Sequence, residues 1–515
     1  MRFPLFLFLL APLFATAYAA DPNGYSARFE CRSGGPVCNL DIANVAAKPC
    51  DQIISSSTSP TNNWNAIDWS NSVICIAPGD HTARGTLTIG ASGSPGSFKV
   101  LRYYRDGDND DEPWSQLSQD RARLSALDTN AERYWIIHRV SFQDSPGGPQ
   151  LNIRDSSNII VSRSYFSNMD NSAIAIVGSR TSADSNSVQN SVIQDGQHKR
   201  NFDVIGIDIC NSTNSRIVNN EIRNPGSHHI QISECGLGAQ GTVVENNDLY
   251  FSSAVYTNCG GSFTASGPCA AGEAILSFKD SGTSANPVRV IHNRIWGARV
   301  NDLNVCCTGA SGSAISPVGG GATDSRWYLF QNNIVADSQN AFEWTTWGGG
   351  SVFNHSVVGN LIYDIQPFHS STTSAAFWWG GLGAVNNTEF YFNTIVDAAS
   401  LFSLGKLSNL DFRSNVTINV ASSGNAPTGS GTESINNAYF NSAAFSTSGA
   451  SGDIVRNTAA ESGNTRYCYW RKLRTLPENV CVQNAKPTSA SPYFRAADPT
   501  TGQRRGIGIN DVPTL

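Results

Sequence analysis

A short phrase that recurs down the middle of this chain restricts its fold more than any other feature. It reads as a β-rich pair, a polar residue, then Asn-x-apolar: "RIVNNEI" at 216–222, "TVVENNDL" at 242–249 and "VRVIHNRI" at 288–295. It continues as "YLFQNNI" at 328–334, "SVVGNLI" at 356–362 and "EFYFNTI" at 389–395. Weaker copies precede these, "NSVQNSV" at 186–192 and "NIIVSRSYF" at 158–166, where Ser164 stands in the Asn position. Taking Asn190, Asn220, Asn247, Asn293, Asn332, Asn360, Asn393 and Asn415 as markers, the intervals are 30, 27, 46, 39, 28, 33 and 22 residues. The shorter intervals match one solenoid coil, and the longer ones match a coil with an inserted loop. Stacking follows because each short strand buries one side in the coil and pairs edge to edge with its copies above and below. A stacked Asn at a tight turn accepts left-handed geometry and hydrogen-bonds its equivalents along the ladder.

A second strand follows each phrase: "AIAIV" at 173–177, "GIDIC" at 206–210, "HIQIS" at 229–233 and "ILSFK" at 275–279, extended by "AISPV" at 314–318 and "AFEWT" at 341–345. A gapless alignment points Ile174, Ile207, Ile230, Leu276, Ile315 and Phe342 inward. Strand alternation then points Ala175, Asp208, Gln231, Ser277, Ser316 and Glu343 outward, as one face of a cylinder. Helical periodicity is nearly absent, and a propeller would need four strands in a longer, steadier repeat. The expected fold is all-β, a right-handed parallel β-helix.

The ends of the chain read differently. Arg2, the apolar run from Phe3 to Phe14 and Ala17-Tyr18-Ala19 have the pattern of a cleaved secretory leader. The run is too short to span a membrane, and no later segment approaches that length. The expected division is a signal peptide at 1–20, an N-terminal cap with the first coils at 21–125, the β-helix at 126–445 and a C-terminal closing segment at 446–515. A cap at each end would protect the free sheet edges. The expected location is secreted or periplasmic, where twelve Cys form disulfides. Local pairs are Cys31 with Cys38, Cys50 with Cys75, Cys259 with Cys269, and Cys468 with Cys481. Cys210 and Cys235, about a coil apart, would bridge neighbouring coils, and Cys306 and Cys307 are adjacent. No CxxC pair suggests a metal. The acidic run "DGDNDDE" at 106–112 starts like a calcium loop but lacks the Gly and the closing acid, and reads as a solvated turn. The net charge is −6, or 34 − 41 = −7 once Arg2 is removed, which argues against a nucleic-acid partner. Neither nucleic acid nor membrane is expected as a partner; an extracellular polysaccharide is.

The leader, the Asn-marked coils and "GEAILSFKDSG" at 272–282 resemble the pectate-lyase-like superfamily of β-helices. The Lys-bearing strand followed by "VIHNRIWGAR" at 290–299 is similar to the arrangement in alginate lyases and chondroitinase B. The resemblance implies Lys279 as base, Arg294 or Arg299 as acid, and calcium as a cofactor at the uronate carboxylate. It does not extend to a calcium-holding Asp/Glu cluster on adjacent coils, so no metal ligands are assigned. Lys279 lies two positions after Ser277 and reaches the outward face, where a solvated or salt-bridged Lys is the ordinary alternative. His229 joins it as a candidate catalytic group, since His228 and His229 alternate sides. Asp208, Gln231, Glu234, Ser277, Glu343 and Trp344 are candidate substrate contacts. The expected reaction is β-elimination on an acidic polysaccharide, which needs a base at the proton alpha to the carboxylate and positive charge for the enolate. A glycoside hydrolase using Asp208 with Glu234 is a second reading. A non-catalytic carbohydrate-binding or adhesin β-helix is a third, since Trp344, Trp347, Trp378 and Trp379 cluster late in the solenoid.

Overall fold

The computed structural model describes residues 49–55, 64–104, 122–144, 147–179, 183–196, 204–232, 235, 238–252, 274–279, 281–298, 312–319, 324–346, 350–367, 373–381, 384–403, 407–425, 431–445, 453–471, 473, 478–486 and 488. Their strands form three long parallel sheets of 17, 12 and 14 strands, wound as a right-handed parallel β-helix. One coil shows the route. Strand Arg216–Val218 lies in the seventeen-stranded sheet, Glu221–Arg223 in the fourteen-stranded sheet and Ile230–Ile232 in the twelve-stranded sheet. The next coil begins at Val243–Glu245, paired in parallel with Arg216–Val218.

The interior is a stack of apolar columns, one per sheet. Ile193, Ile222, Leu249, Ile295 and Val335 are buried in successive coils of the fourteen-stranded sheet. Toward the C-terminus the filling turns aromatic, with Phe330, Phe342, Phe377, Phe390, Phe402 and Phe412 in mutual ring contact.

The turn between the seventeen- and fourteen-stranded sheets explains the repeated phrase, and it divides between two neighbours the work expected of one residue. Left-handed geometry falls on Asn219, Asn246, His292, Asn332, Phe392, Ser414 and Asn436, with φ between 54 and 58°. The hydrogen-bond ladder belongs to the next residue. Asn293 donates its backbone N–H and its Nδ2 to Asn333 Oδ1, both at 3.0 Å, and Nδ2 also donates to the Val244 carbonyl at 2.9 Å. The same bonds link Asn220, Asn247, Asn293, Asn333, Asn360, Asn393, Asn415 and Asn437. Two expected markers therefore shift by one: Asn190 and Asn332 are the left-handed residues, and Ser191 and Asn333 carry the ladder. Ser164 and Ser191 continue it with their hydroxyls, while at the other end Asp453 accepts from Asn437. These amides are fully buried, and the ladder satisfies donors and acceptors that burial would otherwise leave costly.

The described residues 49–55 and 64–104 are coils like the rest, because Gln52–Ile54, Val73–Ile76 and Lys99–Tyr103 pair in parallel in turn and then join Arg133–His138. Near the C-terminus, an antiparallel hairpin of Thr465–Arg471 and Glu478–Lys486 lies against the side of the solenoid. Its Tyr467, Tyr469, Val482 and Ala485 bury Ile334, Leu361, Val396, Ile418 and Phe440, which face out of the fourteen-stranded sheet. Disulfides Cys50–Cys75, Cys210–Cys235 and Cys468–Cys481 form as expected from their spacing. The other six Cys, residues 21–48, the acidic run at 106–112 and residues 489–515 lie outside the described residues. No described helix is long and apolar enough to cross a membrane.

Candidate active site

The twelve-stranded sheet carries the expected outward column. Ala175 pairs with Asp208, Asp208 with Gln231, Gln231 with Ser277, and Ser277 with Ser316. The pairing of Ile315 with Phe342 places Ser316 beside Glu343. The register extends the column at both ends, through Asp128 and Asn152 before Ala175 and through Trp378 and Ser403 after Glu343. Lys279 follows strand Ala274–Phe278, and its backbone N–H donates to the Ile232 carbonyl at 2.8 Å. Since Phe278 pairs with Pro317, Lys279 is level with Val318, whose partner on the next rung is Thr345. Lys279 is half-buried, in the column adjoining the one that holds Ser277, Ser316 and Glu343.

The two ends of this face differ in polarity and depth. At the N-terminal end Asp128 is held by Arg154 at 3.3 Å and by Asn152 Nδ2 at 3.3 Å, all partly open to water. Further along, Gln231, Ser316 and Glu343 are buried although they point away from the core. Glu343 takes a hydroxyl on each oxygen: Ser313 donates to Oε2, and Thr345 donates to Oε1 at 2.8 Å. A buried carboxylate needs such donors.

Three expected site residues lie elsewhere. Arg294 belongs to the fourteen-stranded sheet, on a different side of the cylinder from Lys279. It is buried in a two-pronged pair with Asp248, Nε to Oδ1 and Nη2 to Oδ2 both at 2.7 Å, and also donates to Asn246 Oδ1 at 2.8 Å. A guanidinium so engaged has no route to a base on the twelve-stranded face. His229 is fully buried in the corner before Ile230, with Nε2 2.7 Å from the Tyr250 carbonyl and its ring edge-on to core Phe251. Burial lowers its pKa from 6.5 to about 3. Trp344 is fully buried between Phe342 and Phe390, its indole N–H donating to His355 Nδ1 at 3.3 Å. The alternation that turns Glu343 outward turns Trp344 inward, so a contact between Trp344 and substrate is ruled out by the same register. Arg299, Glu234 and the side chain of Ser277 lie outside the described residues, as do Trp347, Asp203 and Glu273.

One further residue on this face is Trp378, which the sequence places only in a tryptophan cluster. It pairs with Glu343, points outward and is half-buried, whereas its neighbour Trp379 pairs with Trp344 and packs on the core. Applying the two-residue alternation to the tryptophan cluster distinguishes them. Among the described residues, no group of three or more His, Cys, Asp or Glu is arranged to hold a metal ion.

No protein-family model matches the sequence, and no curated protein matches it. Solved structures that are similar include a mannuronic-acid-specific polysaccharide family 6 lyase from human gut microbiota, at 12% identity and a TM-score of 0.45 over 78% of this chain and 91% of that one. Another is a PL6 family polysaccharide lyase from Pseudopedobacter saltans, at 11% identity and 0.43 over 76% and 89%. A third is the catalytic domain of a GH87 α-1,3-glucanase in complex with nigerose, at 11% identity and 0.36 over 79% and 65%. At such identities no residue role passes from them to this chain.

Proposed function

We propose that the protein is a secreted polysaccharide lyase that cleaves an acidic, uronate-containing polymer by β-elimination, with Lys279 as the base. The observation that carries this reading is the register that sets half-buried Lys279 beside the outward column of Asp208, Gln231, Ser277, Ser316 and Glu343. In the reaction the amine takes the proton alpha to the uronate carboxylate. The electron pair forms the double bond of the unsaturated sugar as the glycosidic oxygen leaves and is protonated. A general base positioned this way contributes about 10²–10⁴-fold. Arg299 is the candidate for the acid, since Arg294 is committed to Asp248 on another sheet. The described residues do not form a calcium-holding set, so no step is routed through that ion.

The hydrolase reading rests on Asp208 with Glu234, which lies outside the described residues, and the described Glu343 does not replace it. Asp208 and Glu343 are four rungs apart in the column, about 19 Å at about 4.8 Å per rung, too far to act on one bond. The test is incubation with alginate, pectate and glycosaminoglycans while following the absorbance of an unsaturated uronate. Wild type should produce it and Lys279→Ala should not. New reducing ends without that absorbance would establish hydrolysis instead, and retention of polymer without any product would establish a binding protein.

A further inference from the structure

In the outward column of the twelve-stranded sheet, from Thr88 and Asp128 to Ser403 and Asn425, Trp378 is the one aromatic side chain among the described residues. Of the other aromatic rings of this sheet, Phe278, Phe342, Trp344, Phe377 and Phe402 point into the core and are fully buried, and Trp379 is half-buried but packs against the core. Trp378 is half-exposed, and among the described residues no hydrogen bond or ring contact engages it. A large apolar side chain left partly in water, in a column otherwise made of small and polar groups, contributes less to the fold than it would one position along. Its position suits a ligand with an apolar face and a polar rim. A pyranose ring is such a ligand, because its axial C–H bonds point into the face of an indole while its equatorial hydroxyls remain in water.

We propose that Trp378 is the stacking platform of a distal sugar subsite, so that the polymer runs along the solenoid axis from Lys279 toward the C-terminal coils. This rests on the lyase reading for the position of the cleaved bond. Three rungs separate Lys279 from Trp378, through Ser316 and Glu343, which is about 14 Å. A sugar residue of an extended 1,4-linked chain advances by about as much as one rung. The sugar on Trp378 is therefore separated from the cleaved bond by two or so others, and disaccharides and trisaccharides do not span both positions. Glu343, one rung before Trp378, is buried between the Ser313 and Thr345 hydroxyls and borders the subsite with a polar group.

The test compares wild type with Trp378→Ala, Trp378→Leu and Trp378→Phe on polymer and on purified trimers to hexamers. Leu keeps the apolar bulk without a stacking face, so it separates stacking from folding. Both Ala and Leu should raise KM for polymer and hexamer about tenfold, with kcat within twofold and trimers unaffected. Phe should recover most of the loss. An equal effect on short and long substrates, or an unchanged KM in Ala and Leu, overturns the proposal. If no polymer is cleaved, retardation of the same proteins in gels containing alginate, pectate or a glycosaminoglycan provides a readout that does not require lyase chemistry. Loss of retardation in Ala and Leu but not Phe supports the platform even then. Retardation equal to wild type in all three variants, or in none of the four proteins, removes it.

Discussion

Two outer faces of the same solenoid each carry a cation, and they hold it differently. On the fourteen-stranded sheet Arg294 is buried in two bonds to Asp248. The C-terminal hairpin lies over that sheet, close enough for Tyr467 to feel the Arg294 charge and for Arg471 to stack 4.2 Å over Trp296. On the twelve-stranded sheet Lys279 stands just past its strand, half-buried, and no hairpin from the described residues packs there. Residue type alone does not separate the two. What separates them, among the described residues, is whether a second layer of chain packs on the face. Arg294 is held in a structural pair, and Lys279 is the cation to which the proposed reading gives the chemistry.

Substitutions can break that contrast. The largest effect is expected for Lys279→Ala, with turnover lower by about 10²–10⁴-fold and the urea midpoint unchanged. Arg294→Ala should do the reverse. It leaves Asp248 buried without its partner, at a cost of about 3–5 kcal/mol in urea unfolding, while the folded fraction keeps its turnover per molecule. If Arg294→Ala stayed stable and lost activity, the roles of the two faces would be exchanged. A smaller effect is expected from the ladder inside. Asn333→Ala strands the Asn293 N–H and removes the Nδ2 bond to Val290, and about 1–3 kcal/mol should be lost with no change in turnover.

Acid provides the mildest probe. His229, in the corner that joins the two faces, and His355, inside the coil, are both lowered by burial from 6.5 to about 3. Each stays neutral in the folded chain at pH 5, while an unfolded copy takes up a proton near pH 6.5. The stability that goes with neutral imidazole is complete above pH 6.5 and is lost as pH falls toward 3. Each group contributes a slope of up to about 1.4 kcal/mol per pH unit in that window. Urea midpoints measured from pH 7 to pH 4 should fall less steeply in His355→Gln than in wild type; parallel curves would show that His355 is protonated in the folded chain.

Much of this architecture was legible before any coordinates, and the failures have physical causes. The outward column from Ala175 to Glu343 followed from strict alternation in a strand, which the parallel register preserves. The ladder was read one residue early at Asn190 and Asn332 because two adjacent polar residues do different work, and Asn is suited to both. Before Ser164 the coils carry no repeated phrase because Val140 takes the ladder position there, where no side-chain amide can stack. His229 was misplaced because it precedes its strand, so alternation does not govern where its ring goes. Arg294 follows its Asn directly, at the start of the fourteen-stranded rung, and only the register of that sheet shows that Asp248 is beside it.

The ladder has a direction, and its last member gives it an end. Every Asn from Asn220 to Asn437 both receives and passes on the same bonds, so one coil is interchangeable with the next as far as its neighbours are concerned. Asp453 receives from the Asn437 N–H at 2.8 Å and from Ser434, but its side chain, unlike an amide, has no N–H to pass on. Duplication or deletion of a coil between Asn220 and Asn437 would leave each neighbouring rung with an amide that it already fits. Beyond Asp453 a rung could be joined only through the backbone N–H, as Ser164 and Ser191 are at the other end. The amide ladder thus makes its inner coils exchangeable units, bounded by hydroxyls on one side and a carboxylate on the other.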